Sequence, residues 1–178
     1  MNTSDEVWIP LDKTSQFKSE GHARSWCNVW VRLTFSDGVL LRMQVDDQPH
    51  AEPSTRHPLP AGYADVEQAL VDWRTGHDRR VDWTRHPGFP GVGTDFQRAV
   101  WSALCAVPRR TSIGYGELAR QMGRPGAARA VGQAVGANPW APLIPCHRVL
   151  AANRGLGGYA QGTRIKARLL AIEGVDYR

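Results

Sequence analysis

The stretch Met122–Asn138, MGRPGAARAVGQAVGAN, decides the fold of this chain. Gly123 breaks a short helix predicted over Tyr115–Met122, and a second helix opens near Pro125 and runs to Asn138-Pro139. Two short helices joined by a Gly-containing turn have the form of a helix-turn-helix, although a plain helical hairpin has the same pattern. The composition of the second helix narrows what it could touch. Ala127, Ala128, Ala130, Gly132, Ala134, Gly136 and Ala137 make it thin, and Arg129 and Gln133 are its long polar side chains. A major-groove reader needs several Asn, Gln or Arg side chains to reach base edges. A thin helix suits close approach to a backbone or minor groove, with one long side chain inserted into the stack. Close helix–helix packing also wants small residues, so both readings stay open on chemistry alone.

Working outward, the second half reads as almost entirely helical. Thr94-Asp95-Phe96-Gln97 is a capping-box pattern, with Phe96, Val100, Leu104 and Val107 following on one face until Pro108. A last helix spans Thr163–Glu173, with Leu169, Leu170 and Ile172 facing inward and Gly174 behind it. The first half reads as α+β. Asn28–Phe35 and Val39–Val45 are β-rich runs around Ser36-Asp37-Gly38, a hairpin signal. Gln48–Pro60 reads as a loop. Asp65 then caps a helix with Val66, Ala69, Leu70 and Trp73 at helical spacing, stopped by Gly76. RHPGFPGVG, residues 85–93, is loop chemistry and the expected linker. The fold class is therefore α+β: an N-terminal α/β unit over residues 1–92 and a mostly helical unit over 93–178.

Charge separates the same halves. Residues 1–90 hold 10 Lys+Arg against 13 Asp+Glu, net −3; residues 91–178 hold 12 against 4, net +8. An acidic half joined to an Arg-rich half points to an anionic partner for the second, nucleic acid first; a generically basic surface is the alternative. No apolar run approaches a membrane span, and the N-terminus lacks a basic-then-apolar signal pattern, so the expected location is cytoplasmic, with no membrane partner. Three cysteines (Cys27, Cys105, Cys146) make a disulfide framework an unlikely reading.

Among those cysteines Cys146 stands apart. Cys105 and Cys27 lie among apolar or strand residues and read as core. Cys146, in Leu143–Leu150 (LIPCHRVL), has His147 beside it, and His147 is the one histidine of the basic half. A thiol is a weak nucleophile until a base or a cation favours the thiolate. His147 could serve as that base, directly or through water, and Arg148 adds positive potential. A histidine so used needs a partner on its other nitrogen. Of the four acids in this half, Asp95 looks like a cap, Glu117 lies in the first helix of the pair and Asp176 is near the terminus, which leaves Glu173. A buried, inert cysteine is the competing reading. A zinc site would need scattered residues such as His22, Cys27 and His86, and no metal is expected.

Residues 93–178 also carry the runs GTDFQRAVW (93–101), IGYGELA (113–119), GRPGAARAVG (123–132), ANP (137–139), IPCHRV (144–149), GGYAQG (157–162) and LLAIEG (169–174). In order and separation these resemble the O6-alkylguanine-DNA alkyltransferases, in phrasing closest to the bacterial constitutive type. The resemblance implies a ribonuclease-H-like N-terminal domain over 1–92, and a helix-turn-helix that binds duplex DNA in the minor groove without sequence preference. It implies flipping of an O6-alkylated guanine and stoichiometric transfer of the alkyl group to Cys146, with no cofactor. His147 would be the water-mediated base and Glu173 its orienting acid. Asn138 would support the Cys146 region, and Tyr115 would help rotate the target phosphate and protonate the departing base. Arg129 would fill the gap in the stack, with Ala127 and Ala130 at the DNA surface. Tyr159, Ala160, Val149 and Trp140 would form the substrate pocket, the carbonyls of Cys146 and Val149 reading the guanine amine. O4-alkylthymine is a second candidate lesion, and the expected state is a monomer, with clustering on DNA left open. Ala160, Gln161 and Trp140-Ala141 depart from residues common in that family and bear on substrate range. Three rivals remain: a thiol hydrolase using Cys146, His147 and Glu173, a non-catalytic damaged-DNA binder, and a helix-turn-helix transcription factor.

Overall fold

A computed structural model describes residues 4–11, 29–47, 59–77 and 79–178. Three antiparallel strands come first: β1 (Ser4–Pro10), β2 (Trp30–Ser36) and β3 (Val39–Asp46), in spatial order β1-β2-β3. Asp37 and Gly38 make the β2–β3 turn with φ of 50° and 76°, the left-handed pair that matches hairpin twist. Alternation along β2 buries Val31, Leu33 and Phe35, and β3 adds Leu40, Met43 and Val45 to the same core. β1 was not anticipated in the sequence; its alternation is short and ends at Pro10.

Helix α1 (Ala64–Thr75) covers this sheet with Val66, Ala69, Leu70 and Trp73, and ends at Gly76 with φ 92°. Asp65 is not its cap. Tyr63 holds that position without a side-chain cap, because its hydroxyl accepts from Leu40 N and donates to Gly88 O. Asp65 sits one residue inside, 3.1 Å from His86 Nε2. The expected loop over 48–60 falls mostly outside the described residues, as does Cys27.

The second half begins where expected. Helix α2 (Asp95–Cys105) carries the full Thr94/Gln97 capping box. Gly93 before it has φ 84°, and a Cβ there would fall 2.5 Å from the Trp101 ring, so the chain needs glycine at the entry. Next come β4 (Ile113–Gly114), α3 (Tyr115–Gln121), α4 (Ala128–Gly136), β5 (Val149–Leu150) and α5 (Thr163–Glu173). Helix α4 starts three residues later than predicted, because Gly126 takes φ 92° and keeps Pro125–Ala127 in the turn. β4 and β5 pair in parallel, Ile113 with Val149 and Gly114 with Leu150. That pairing sets the start of α3 beside the turn Cys146–Arg148, which leads directly into β5.

The two halves share one apolar core. Met43 N donates to Pro139 O at 2.7 Å, and Ala141 N donates to Met43 O at 3.3 Å, stitching β3 to the segment before the active-site turn. Among the described residues no helix is long and apolar enough to cross a membrane.

Candidate active site

Cys146 opens the Cys146–Arg148 turn, and its sulfur borders an open cavity of about 210 Å³. Tyr115, Gly132, Val135, Gly136, Asn138 and the loop Gly158–Gln161 complete the wall. The thinness of α4 now has a use: Gly132 and Gly136 face the cavity, while Arg129, Ala130 and Gln133 are exposed. Arg129 lies one turn ahead of Gly132 on the same helix.

Asn138 ties the site together. Its Nδ2 donates to Ile144 O at 2.8 Å and to Cys146 Sγ at 3.0 Å, while its Oδ1 accepts from Trp140 N at 3.0 Å. The Tyr159 hydroxyl stands 4.0 Å from the sulfur. Burial pushes the Cys146 thiol up from its ordinary value, opposed by the Asn138 and Tyr159 contacts and by the Lys166 charge. Burial also raises the Tyr115 and Tyr159 phenols, and negative charge on Cys146 adds to both, so each keeps its proton. Cys105, pushed up to about 12 by burial, is the inert core thiol expected.

His147 and Glu173 come together as anticipated, both fully buried, with Nε2 3.1 Å from Oε1. The approach is close but off the line of an aligned hydrogen bond, and Nδ1 has no protein partner. Desolvation lowers the His147 pKa, with Glu173 pulling the other way, so the ring is held neutral. Glu173 is more encumbered than one orienting role suggests. Arg148 donates to both its oxygens, Nε to Oε2 at 2.9 Å and Nη2 to Oε1 at 2.8 Å. Trp73 Nε1 donates to Oε1 at 2.9 Å, and Arg109 Nη1 lies 3.6 Å away. Burial works against this carboxylate, but His147 and Arg148 outweigh it and hold the group well below the usual range. The guanidinium of Arg148, expected to favour the thiolate, is instead committed to Glu173 and to Val107 O.

Lys166 supplies a cation that sequence reading did not identify. It is fully buried in α5, and its Nζ donates to the carbonyls of Val149 and Leu156. Desolvation brings its pKa down to about 8, opposed by the Cys146 thiolate. A lysine in the run TRIKARLL gives no sign of this: its neighbours Arg164 and Arg168 belong to the surface, where both meet Asp47.

Two residues expected to form the pocket have their side chains elsewhere. Trp140 is fully buried against Tyr63, Trp83, His86 and Phe89, away from the cavity, because the Met43 backbone pairing draws it to the sheet. It meets the site through its backbone N–H on Asn138. Val149 is also behind the wall, its side chain in the core and its carbonyl accepting from Lys166. Tyr159 and Ala160 do line the cavity, joined by Gln161, whose Oε1 is buried without a partner. Ala127 is half-buried at the start of α4.

Known proteins resemble this chain in sequence and in fold. Residues 95–175 match the family described as 6-O-methylguanine DNA methyltransferase, DNA binding domain. A methylated-DNA–protein-cysteine methyltransferase of Mycobacterium tuberculosis is 53% identical over 137 residues, 76% of this chain and 80% of its own length. One from Salmonella typhimurium is 57% identical over 82 residues, 46% of this chain, so the match spans 48% of that relative. Among solved structures, the M. tuberculosis OGT in complex with DNA superimposes with a TM-score of 0.62 at 36% identity, over 81% of this chain and 86% of that one. The O6-methylguanine-DNA methyltransferase of Pyrococcus kodakaraensis gives 0.63 at 29% identity, over 83% and 92%. With a relative 53% identical over 76% of this chain and a shared fold, the chain belongs to the methylated-DNA–protein-cysteine methyltransferases, the DNA repair family that moves a methyl group from DNA onto a protein cysteine.

Proposed function

We propose that this protein repairs duplex DNA by transferring the alkyl group of O6-alkylguanine to Cys146 in a single displacement. The observation that carries this reading is the Cys146 thiol at the wall of an open cavity, beneath the exposed side of α4, with an amide donor and a neutral histidine beside it. A base in a duplex cannot reach a recessed sulfur, so the guanine must leave the stack, at a cost of about a few kcal/mol. Helices α3 and α4 act as a helix-turn-helix in the minor groove, with Ala127 and Ala130 near the backbone and Arg129 filling the gap. The first turn of α4 has no side-chain cap and no acid, which suits a phosphate.

The raised thiol needs a base. His147, neutral and with a buried Nδ1 free of protein partners, takes the proton through water, and the Glu173 carboxylate stabilises the imidazolium. Asn138 and the Lys166 cation favour the thiolate. A carbon–sulfur bond then forms as the O6–carbon bond breaks, the electron pair stays on O6, and the base takes a proton for which Tyr115 is the donor. Tyr159, Ala160 and Gln161 bound the flipped base. The thioether has no route back, so each molecule turns over once.

In this reading residues 93–178 bind and react, and 1–92 form a ribonuclease-H-like support. The protein acts in the cytoplasm as a sequence-independent monomer, with O4-alkylthymine a secondary lesion. Mass spectrometry after incubation with a duplex carrying O6-methylguanine tests the proposal. One added methyl group on Cys146, absent in Cys146→Ala although that variant still binds the duplex, is expected. Continuing turnover, or demethylation by Cys146→Ala, would refute it.

A further inference from the structure

The N-terminal half meets the His147–Glu173 pair through Trp73. Trp73, in the last turn of α1, donates its indole N–H to Glu173 Oε1 at 2.9 Å, the same oxygen that faces His147 Nε2 at 3.1 Å. Its ring also meets the His147 ring edge-on, with centroids 6.2 Å apart at 81°. Trp73 is itself held: Arg109 Nη1 donates to its carbonyl at 3.0 Å, and the Arg109 guanidinium lies 5.1 Å from its ring centroid. The pair His147–Glu173 is thus walled on one side by an element about a hundred residues away in sequence.

We infer that Trp73 is a positioning residue for alkyl transfer, fixing the Glu173 oxygen and the His147 ring in the arrangement the base requires. This rests on His147 acting as the base. The physical argument is one of alternatives. Arg148 grips both carboxylate oxygens and could hold Glu173 alone, but it approaches from its own turn, adjacent in sequence to His147, and leaves the imidazole plane undetermined. Trp73 touches both members of the pair, so it removes the rotation of one against the other. An indole N–H on Oε1 also withdraws charge from the oxygen that would otherwise bind a proton on His147 more strongly. The charged groups facing His147 are Glu173 and Lys166 from α5 and Arg148 from its own turn, with Arg109 on the far side of Glu173. None of them changes in the variant that removes the indole.

The test is Trp73→Phe, which keeps a ring and deletes the donor. Single-turnover rates on a duplex carrying O6-methylguanine, measured against protein concentration and pH, separate binding from chemistry. The limiting rate is expected to fall about tenfold, the half-saturating concentration to stay put, and the acid limb of the pH profile to move to higher pH. Leu70→Ala, one turn earlier on α1 and a member of the apolar core, controls for lost stability and should keep the wild-type limiting rate and limb while folded. A Trp73→Phe profile that superimposes on wild type, or a rate loss without a shifted limb matched by Leu70→Ala, overturns the inference. His147→Gln distinguishes the two levels. If it keeps the wild-type limb, the base assignment itself fails and this inference with it; if it loses the limb while Trp73→Phe does not move it, only the role of Trp73 falls.

Discussion

Asn138 Nδ2 lies 3.0 Å from Cys146 Sγ while the same amide holds the Ile144 carbonyl at 2.8 Å. One side chain therefore sets both the backbone ahead of the cysteine and the electrostatics of its sulfur. Its Oδ1 meanwhile anchors Trp140 N, the point at which the segment crosses to the sheet. Asn138→Ala removes all three bonds and takes from the buried Trp140 N–H its acceptor, while Ile144 O keeps its bond from Cys146 N, with an expected loss of about 1–3 kcal/mol in stability. Alkyl transfer should slow by about 100-fold or more, because the thiolate loses a donor and the turn its anchor. Thermal melts and single-turnover kinetics on one preparation check both, and an unchanged rate would show that the Sγ contact is incidental.

Arg129 is exposed on α4, ahead of the cavity-lining Gly132. If it fills the vacated stack, Arg129→Ala should slow repair in a duplex by about tenfold or more, while reaction with free O6-methylguanine base stays near wild type. Equal losses on the two substrates would remove the stack-filling role.

The His147–Glu173 pair predicts how stability depends on pH. Both groups have folded-state values below their ordinary ones. Unfolded chains then bind protons that the native protein refuses. Stability contributed by His147 is fully present above its ordinary value of about 6.5 and declines as pH falls from there toward its folded value; Glu173 adds a further decline below about 4.3. Glu173→Gln should remove the lower part of that decline. It also leaves Arg148 and Arg109 facing a neutral partner, at a cost of about 3–5 kcal/mol at neutral pH. Chemical denaturation between pH 2 and 8 measures both; a flat profile in the wild type contradicts the assignment.

Lys166 should titrate far from an ordinary lysine. Burial puts its amine at about 8. The chain has three lysines, Lys13, Lys18 and Lys166, so a lysine-labelled sample gives few side-chain resonances to assign. One of them is expected to show a midpoint near 8. A Lys166 midpoint at the ordinary value near 10.5 would mean that water reaches it.

Much of this protein was legible in the chain. The Thr94/Gln97 capping box, the Asp37-Gly38 turn and the Gly76 and Gly174 stops are local chemistry, where neighbouring residues and allowed φ decide the outcome, and each appears as expected. The grouping of Cys146, His147 and Glu173 was also readable, since Cys146 and His147 are adjacent and Glu173 was the acid left over. Trp140, Arg148, Trp73 and Lys166 were not. Their roles depend on which distant partner each meets: Trp140 follows the Met43 pairing into the core, Arg148 turns to Glu173 and away from the thiol, Trp73 arrives on a helix from the other half, and Lys166 is buried where its spacing suggested surface. Sequence by itself determined most of the helices, the candidate nucleophile and the family. Tertiary structure decided which charges are spent on one another and which reach the sulfur, because burial and long-range partners set pKa and orientation, and neither is carried by local pattern.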